Sequence, residues 1–192
     1  RHVARSRLRI RCVKADILVL PGDGIGPEVT AAAVVVLEHI ASKASHSFTF
    51  HEGFIGGAAL TAGLEPLPAE TLSCARGADA ILLGAVGDPA FDQRPPGERP
   101  ESALLQLRRA LGLYANLRPA RMWPGLEQAG PLKPEVLAGT DVMVVRELTG
   151  GLYYGEPRGI AADGQSAVNT LRYSVPEIAR VAHWAFRLAR GR

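Results

Sequence analysis

Apolar residues in the first half of the chain form short strand-like runs that alternate with stretches of helical spacing. "DILVL" (16–20) predicts a strand, and the loop "PGDGIG" then leads into a helix over 27–43. That helix has proline and Glu28 in its first turn, where fixed φ and negative charge are both favourable. A second strand, "SFTFHEG", a short helix over 68–76 and a buried strand, "ADAILLGAVGDP", follow. This alternation predicts an α/β domain with a mostly parallel sheet.

The second half predicts a helix, "PESALLQLRRALGL", that stops near Gly112, and two strands, "YANLRPARMWPG" and "TDVMVVREL". A hairpin-like excursion, "TGGLYYGEPRG", comes next. The last element is a helix opened by Ser174 and Pro176. We place one α/β domain at 15–113 and the first part of a second domain at 114–192.

Composition and charge narrow the class of protein. The chain of 192 residues is 47% hydrophobic and 21% charged, as in soluble globular proteins. Its apolar runs fall well short of the ~18 residues of a membrane span, so no membrane association is expected. The two cysteines, Cys12 and Cys74, have no metal-ligand spacing and indicate free thiols in a reducing, cytoplasmic compartment.

The basic residues are concentrated at the start of the chain. Residues 1–14 contain six basic residues and no acidic residue. Their charge of +6 is larger than the formal net charge of the whole chain, which is +3. The remainder is therefore mildly acidic, and no nucleic-acid partner is expected. The arm is interpreted as a disordered tail or upstream translation product, with the remnant of an Arg-rich transit peptide as the alternative.

The loop "PGDGIGPE" is the first candidate for chemistry. Glycines between a strand and a helix allow the backbone to approach an anionic or planar ligand, although a tight strand-to-helix turn explains them equally well. The dinucleotide fingerprint GxGxxG does not fit, because Pro27 stands where its last glycine should be.

The helix "PESALLQLRR" has Glu101, Leu105 and Arg108 on one face, with Leu104 beside them. This pattern is typical either of an amphipathic surface helix or of a face that presents Arg108 to a carboxylate. Arg118 and Arg146 sit at or near the ends of apolar strands, where α/β sheets bind ligands. The three arginines could converge on a dicarboxylate, whereas each taken singly is explained by a surface ion pair.

Four motifs occur in one order: "LPGDGIGPEV", "LLGAVGDP", "RPESALLQLRRALGLYANLRPAR" and "VVRELTGGLYYGEPRG". Together they resemble the 3-isopropylmalate dehydrogenase family of β-decarboxylating hydroxyacid dehydrogenases, over residues 16–192. The resemblance implies an α/β fold with an open sheet and helices on both faces, which is not a true Rossmann fold.

The resemblance also implies roles for individual residues. By this resemblance the substrate carboxylates are bound by Arg108, Arg118 and Arg146, and Tyr153 is the proton donor. The substrate's isopropyl group contacts Glu101, Leu104 and Leu105. The residues implied to line the cofactor cleft are Asp23, Gly24, Ile25, Gly26, Gly84, Val86 and Gly87. In "GAVGDPAFD", Asp88 and Ala90 stand where many relatives have a glycine and a lysine. That departure weakens the match of this loop.

The implied activity is oxidative decarboxylation of 3-isopropylmalate with reduction of NAD and a divalent Mg²⁺ or Mn²⁺, in leucine biosynthesis, by a cytoplasmic homodimer. The family's subunit is nearly twice as long. Three features are expected in its C-terminal half: the lysine that activates the substrate hydroxyl, the metal-binding aspartates, and the loop that binds the adenosine of NAD. We therefore expect this chain alone to be inactive. A non-catalytic truncated fragment, or a related isocitrate, tartrate or malate dehydrogenase, is the alternative.

Overall fold

A computed structural model describes residues 12–192 of the chain. It divides into two compact units, one ending at Leu107 and one running from Arg108 to Arg192. The division lies within a helix, ahead of the predicted boundary after residue 113. Residues 1–11 of the predicted basic arm lie outside the described residues, and its last residue, Lys14, begins the first strand.

The first unit is built on three parallel strands. Its elements are β1 (Lys14–Gly22), α1 (Gly26–Ala44), β2 (Ser47–Glu52), α2 (Gly57–Thr61), α3 (Ala69–Gly77), β3 (Ala80–Ala85) and α4 (Pro100–Ala110), which continues into the second unit. The strand order is β2-β1-β3, with both pairs parallel, and α1 packs against all three strands. The predicted α/β fold with an open sheet is confirmed.

Strand β1 lies in the centre of this sheet because its apolar run can be buried on both faces. Residues 17–20 are all buried, and Leu18 and Leu20 are completely so. Continuous apolar runs of this kind are typical of central strands in parallel sheets. In the register, Ile17 lies opposite Phe50 of β2 and Ala80 of β3. The carboxyl end of β1 therefore lies beside that of β3.

Glycines allow the carboxyl ends of β1 and β3 to approach each other and the start of α1. A Cβ at Gly26 would overlap the Pro21 carbonyl oxygen and lie 2.9 Å from the Ala85 nitrogen. A Cβ at Gly84 would overlap the same oxygen and lie 2.9 Å from the Gly26 Cα. These neighbours are backbone atoms that cannot move aside, so Gly26 of the loop and Gly84 of β3 both serve internal packing.

The second unit combines two small antiparallel sheets with a long helix. Its elements are β4 (Ala115–Arg121), α5 (Pro134–Leu137), β5 (Asp141–Glu147), β6 (Gly159–Ile160), β7 (Ala167–Val168) and α6 (Val175–Arg190). β4 pairs with β5, and β6 pairs with β7 as a separate hairpin. The two long strands and the last helix were predicted; α5 and the regular hairpin pairing were not.

Two ion pairs join β5 to helix α6 and to the residue just beyond its end. Glu147, the last residue of β5, forms an ion pair of 3.8 Å with Arg180, and Asp141, its first residue, pairs with Arg192. The helix therefore runs antiparallel to the strand. None of the helices in residues 12–192 has the length and apolar character that a membrane crossing requires.

We expect Gly26→Ala to destabilise the first unit by about 3 kcal/mol, because the added methyl group must displace the backbone of β1 or β3. Gly77→Ala is the matched control: it ends α3, and a Cβ there would have no neighbour within 4 Å. Its effect should stay within about 1 kcal/mol. Urea unfolding followed by circular dichroism measures both. Equal effects would show that the close backbone approach is not a constraint.

Candidate functional site

Asp23 joins three segments of the first unit at the carboxyl ends of its strands. The side chain is buried, with 5% of the residue exposed. One carboxylate oxygen accepts hydrogen bonds from the Gly57 and Gly87 N–H groups at 2.9 and 2.8 Å, and the other accepts from Ala58 at 2.7 Å. Its own N–H donates to the Ala85 carbonyl oxygen at 2.7 Å. Asp23 therefore organises the predicted cofactor cleft from within and has little surface to offer a ligand.

Gly24 and Ile25 are the open part of the glycine loop. Gly24 adopts a left-handed φ of 55°, and a Cβ there would have no neighbour within 4 Å. Ile25 is 57% exposed. Of the four loop residues predicted to line a cofactor cleft, these two present accessible surface, whereas Asp23 and Gly26 are buried.

The loop after β3 lies against the beginning of α4. Gly87 has a φ of 141°, and a Cβ on it would lie 3.1 Å from Glu101 Oε1. Val86 packs toward Gly22 and Gly56. A predicted cofactor residue, Gly87, and a predicted substrate residue, Glu101, are therefore neighbours within the first unit.

Helix α4 has a buried face and a mixed face. Ala103 and Leu107 are buried in the first unit. Glu101 is exposed, while Leu104 and Leu105 are half-buried. The two leucines therefore keep some apolar surface accessible beside a carboxylate.

Arg146 and Tyr153 are in direct contact in the second unit. The Arg146 Nη2 donates a hydrogen bond of 2.7 Å to the Tyr153 hydroxyl oxygen, and its Cζ lies 5.3 Å from the centre of the Tyr153 ring. Tyr153 ends a single 3₁₀ turn, Gly151–Tyr153, and is 49% exposed. The guanidinium and the phenol are therefore adjacent at an accessible position.

Arg118 lies on the same face of the β4–β5 sheet as Arg146. Asn116 is opposite Arg146 in the register, and Arg118 is two residues further along β4. Because side chains alternate between faces, all three point the same way. The Arg118 Nε donates to the Asn116 Oδ1 at 2.7 Å. Asn116, which the sequence patterns did not single out, thus orients one predicted arginine beside another.

Arg108, the third predicted arginine, interacts electrostatically with Tyr154. Burial raises the pKa of the Tyr154 hydroxyl, and the charges of Arg108 and Arg109 offset part of that shift. Tyr154 was not among the predicted site residues. Its position in the chain, directly after Tyr153, was the available signal.

The turn before Tyr153 requires both of its glycines. A Cβ on Gly150 would lie 2.7 Å from the Tyr173 Cδ1, and one on Gly151 would lie 2.8 Å from the Tyr173 Cζ. The Gly151 N–H also donates to the Arg172 carbonyl oxygen at 2.9 Å. The Gly-Gly pair thus lets the chain pass beneath Tyr173, and no side chain fits there.

Comparison with known proteins places the chain in a family. The family model described as isocitrate/isopropylmalate dehydrogenase matches residues 16–192. The chain belongs to the isocitrate/isopropylmalate dehydrogenase family.

Relatives in this family are similar along almost the whole chain. The chain is 56% identical to the 3-isopropylmalate dehydrogenase of Shouchella clausii over 184 residues, which cover 94% of this chain and 50% of that protein. It is 54% identical to the 3-isopropylmalate dehydrogenase of Gloeobacter violaceus, over 92% of this chain and 49% of that protein. The chain thus spans about half the length of these relatives.

Solved structures of the isocitrate/isopropylmalate dehydrogenase family have the same fold. The isocitrate dehydrogenase of Methylococcus capsulatus superimposes with a TM-score of 0.73 at 31% identity, covering 91% of this chain and 47% of that one. A β-decarboxylating dehydrogenase of Thermococcus kodakarensis superimposes with a TM-score of 0.63 at 32% identity, covering 92% of this chain and 46% of that one. The predicted family resemblance is confirmed.

Metal ligands do not converge in the part of this family member that the structure describes. Among residues 12–192, no three His, Cys, Asp or Glu side chains are grouped so that they could hold a metal ion. The residues described here therefore do not form a Mg²⁺ or Mn²⁺ site by themselves.

Glu147 supports the turn before Tyr153 as a charged acceptor. Burial acts to raise the pKa of its carboxyl, but hydrogen bonds from Thr149 and Gly150 and the charge of Arg180 outweigh burial, so the pKa is lowered from its ordinary 4.5. A group with a depressed pKa stabilises the folded state above its unfolded pKa, and that contribution disappears as the pH falls through the folded pKa.

We therefore expect Glu147→Gln to destabilise the protein most at neutral pH. The difference in unfolding free energy between wild type and variant should shrink as the pH falls below about 4.5 and through the lower folded pKa. Urea unfolding at a series of pH values measures it. A difference that stays constant across this range would contradict the interpretation.

Asp23→Asn should destabilise the first unit by about 2–3 kcal/mol, because an amide NH₂ cannot accept a hydrogen bond and a buried backbone N–H loses its partner. Asp79→Asn is the control, since the Asp79 carboxylate accepts one exposed hydrogen bond of 2.9 Å from the Asp16 N–H. Its effect should be below about 1 kcal/mol. Urea unfolding compares the two, and equal losses would refute the special role of Asp23.

Proposed function

We propose that this chain contributes the substrate-binding and proton-donating residues of a 3-isopropylmalate dehydrogenase. That enzyme carries out NAD-linked oxidative decarboxylation of 3-isopropylmalate to 2-oxoisocaproate in leucine biosynthesis. The observation that carries the proposal is the 2.7 Å hydrogen bond from Arg146 to Tyr153, with Arg118 on the same sheet face. Relatives more than 50% identical and named for this activity support the choice of substrate.

The arginines would bind the two carboxylates of a malate-like substrate. A guanidinium offers a planar fork of donors that matches a carboxylate, and its charge persists at any physiological pH. Arg118 and Arg146 lie as diagonal neighbours on paired strands, where such side chains are about 7–8 Å apart and can both reach one small dianion. Arg108 would add the third guanidinium.

Leu104 and Leu105 would receive the isopropyl group. Both are half-buried on α4, so each keeps apolar surface accessible. A third substrate carboxylate, as in isocitrate, would lose hydration against these side chains without gaining a donor. This apolar character favours an alkyl substituent over a charged one.

Tyr153 would supply the proton that completes the reaction. NAD, when bound, would supply the oxidant for the hydroxyl-bearing carbon. That carbon would lose a hydride and its hydroxyl would lose a proton to a base, which would leave a β-keto acid. Loss of CO₂ moves the bonding electrons into an enolate, and the enol carbon then takes a proton from the Tyr153 hydroxyl. Because Arg146 already donates to that oxygen, the phenol's own proton can point toward a substrate rather than toward the guanidinium.

The glycine loop of the first unit would approach the cofactor. Gly24 has the left-handed φ and open surroundings that permit close contact with a nucleotide, and Ile25 adds exposed apolar surface. The roles of Gly26, Gly84 and Asp23 would then be to hold this loop in shape, while Val86 and Gly87 border it. Because residues 12–192 bring no metal ligands together, no step of the proposal depends on a metal held by them.

The β6–β7 hairpin would pair subunits of a cytoplasmic homodimer. It is a two-stranded ribbon without a third strand, and its Ile160 is 76% exposed. An exposed apolar residue on a short ribbon edge is a suitable element for pairing with a second copy.

Binding of substrate to the chain tests the proposal directly. We expect isothermal titration calorimetry to show binding of 3-isopropylmalate in preference to isocitrate and tartrate. Arg118→Met should weaken this binding by about tenfold or more, because a charge-assisted contact contributes about 1.5–3 kcal/mol.

Arg121→Met is the matched control for this experiment. Arg121 ends the same strand on the opposite face, with its Cζ 3.7 Å from the centre of the Trp123 ring. Its replacement should leave the affinity within about twofold of wild type, since that difference is below 0.5 kcal/mol. Equal losses in the two variants, or tighter binding of isocitrate or tartrate, would contradict the proposal.

A further inference from the structure

The contact between Arg146 and Tyr153 depends on the short segment that joins them. Arg146 is fixed within β5, but Tyr153 lies beyond the strand's end and reaches the guanidinium through the turn Thr149–Gly151. Glycine pairs give the backbone more freedom than any other dipeptide. Something outside the turn's own sequence must therefore keep it in one shape.

Glu147 satisfies the N–H groups of this turn. Its Oε1 accepts hydrogen bonds from the Thr149 N–H at 2.8 Å and the Thr149 hydroxyl at 2.5 Å, and its Oε2 accepts from the Gly150 N–H at 2.8 Å. Only 11% of the Glu147 side chain is exposed. Both carboxylate oxygens therefore accept hydrogen bonds from the turn that precedes Tyr153.

Arg180 of α6 holds Glu147 and Thr149 together. Its Nη2 lies 3.8 Å from the Glu147 Oε1 and donates to the Thr149 hydroxyl oxygen. The same guanidinium lies over the Tyr114 ring, with its Cζ 4.6 Å from the ring centre, and the Trp184 indole N–H donates to the Tyr114 hydroxyl at 2.6 Å. The arginine is therefore itself fixed by aromatic contacts.

We propose that Glu147 and Arg180 are positioning residues for Tyr153. The carboxylate closes the turn, the guanidinium fixes the carboxylate, and Tyr173 limits the turn from its other side. The phenol is thereby kept in contact with Arg146. The importance of this brace for catalysis rests on the proposed function, whereas its effect on the Tyr153 hydroxyl does not.

The same strand and helix supply a matched control. Asp141 and Arg192 form a second ion pair between β5 and the end of α6. It joins the same two elements but touches no residue of the turn. Because this pair is largely exposed, its removal should cost less stability than loss of Glu147, and it should leave Tyr153 in place.

The experiment is nuclear magnetic resonance of the chain with ¹³C at the hydroxyl-bearing ring carbon of tyrosine. The chain has four tyrosines, so the spectrum has few signals, and Tyr153→Phe assigns the one of interest. This carbon shift follows hydrogen bonding to the hydroxyl. Arg146→Met provides the reference position for Tyr153 without its guanidinium donor.

In Glu147→Gln we expect the Tyr153 signal to move most of the way to its position in Arg146→Met. Arg180→Met should move it in the same direction, Arg180→Lys should restore it in large part, and Asp141→Asn should leave it unchanged. Thr149→Ala removes only the hydroxyl, and its smaller shift in the same direction provides the test if Glu147→Gln does not fold.

The proposal is overturned if folded Glu147→Gln keeps the wild-type Tyr153 signal while Arg146→Met moves it. It is equally overturned if Asp141→Asn moves the signal as far as Glu147→Gln. All these spectra are recorded without substrate, so failure of 3-isopropylmalate to bind would refute the proposed function while the positioning role is still decided by the tyrosine signal.

Discussion

A carboxylate removed from water must find hydrogen-bond donors, and in this chain the donors are backbone N–H groups of loops. Asp23 illustrates the constraint most fully, because its two oxygens accept from the start of α2 and from the loop after β3. An isolated buried charge is far too costly to persist. The three segments around it are therefore held in the single arrangement that satisfies the charge.

Glu147 applies the same constraint in the second unit. Its donors are the N–H groups and hydroxyl of a glycine-rich turn, and a cation from α6 completes its surroundings. In both units a rigid strand end presents the acid, and the loop conforms to it. Loops that would be mobile on composition alone thus acquire fixed shapes beside the residues proposed for binding and proton transfer.

The main elements and the arginine–tyrosine pair could be predicted because their signals are local or belong to a specific family pattern. The apolar run of β1, the proline opening α1 and the alternation in β2 each lie within one short window. The start of α6 carries a further local signal, because Ser174 and Glu177 form a capping box.

The contacts that shape the site could not be predicted, because their partners are far apart in the chain. Helix α2 begins where the Asp23 carboxylate binds Gly57, 34 residues later, and nothing in "GAALT" alone indicates this. The sequence does not distinguish Arg180 from other helical arginines, because its contact with Glu147 forms only when α6 packs against β5. The glycines of the first loop indicated ligand approach, but Gly26 is needed for the close approach of backbone segments, as is Gly84 of β3.

The two ion pairs that join β5 to α6 and its following residue constrain the lengths of both segments. The acids are six residues apart along an extended strand, roughly 20 Å. The arginines are twelve residues apart, roughly 18 Å at the helical rise, with Arg192 just past the end of α6. Because the two lengths match, a change in the length of only one of the two segments would separate one ion pair. An insertion or deletion within β5 would therefore have to be matched by one between Arg180 and Arg192 for both ion pairs to persist.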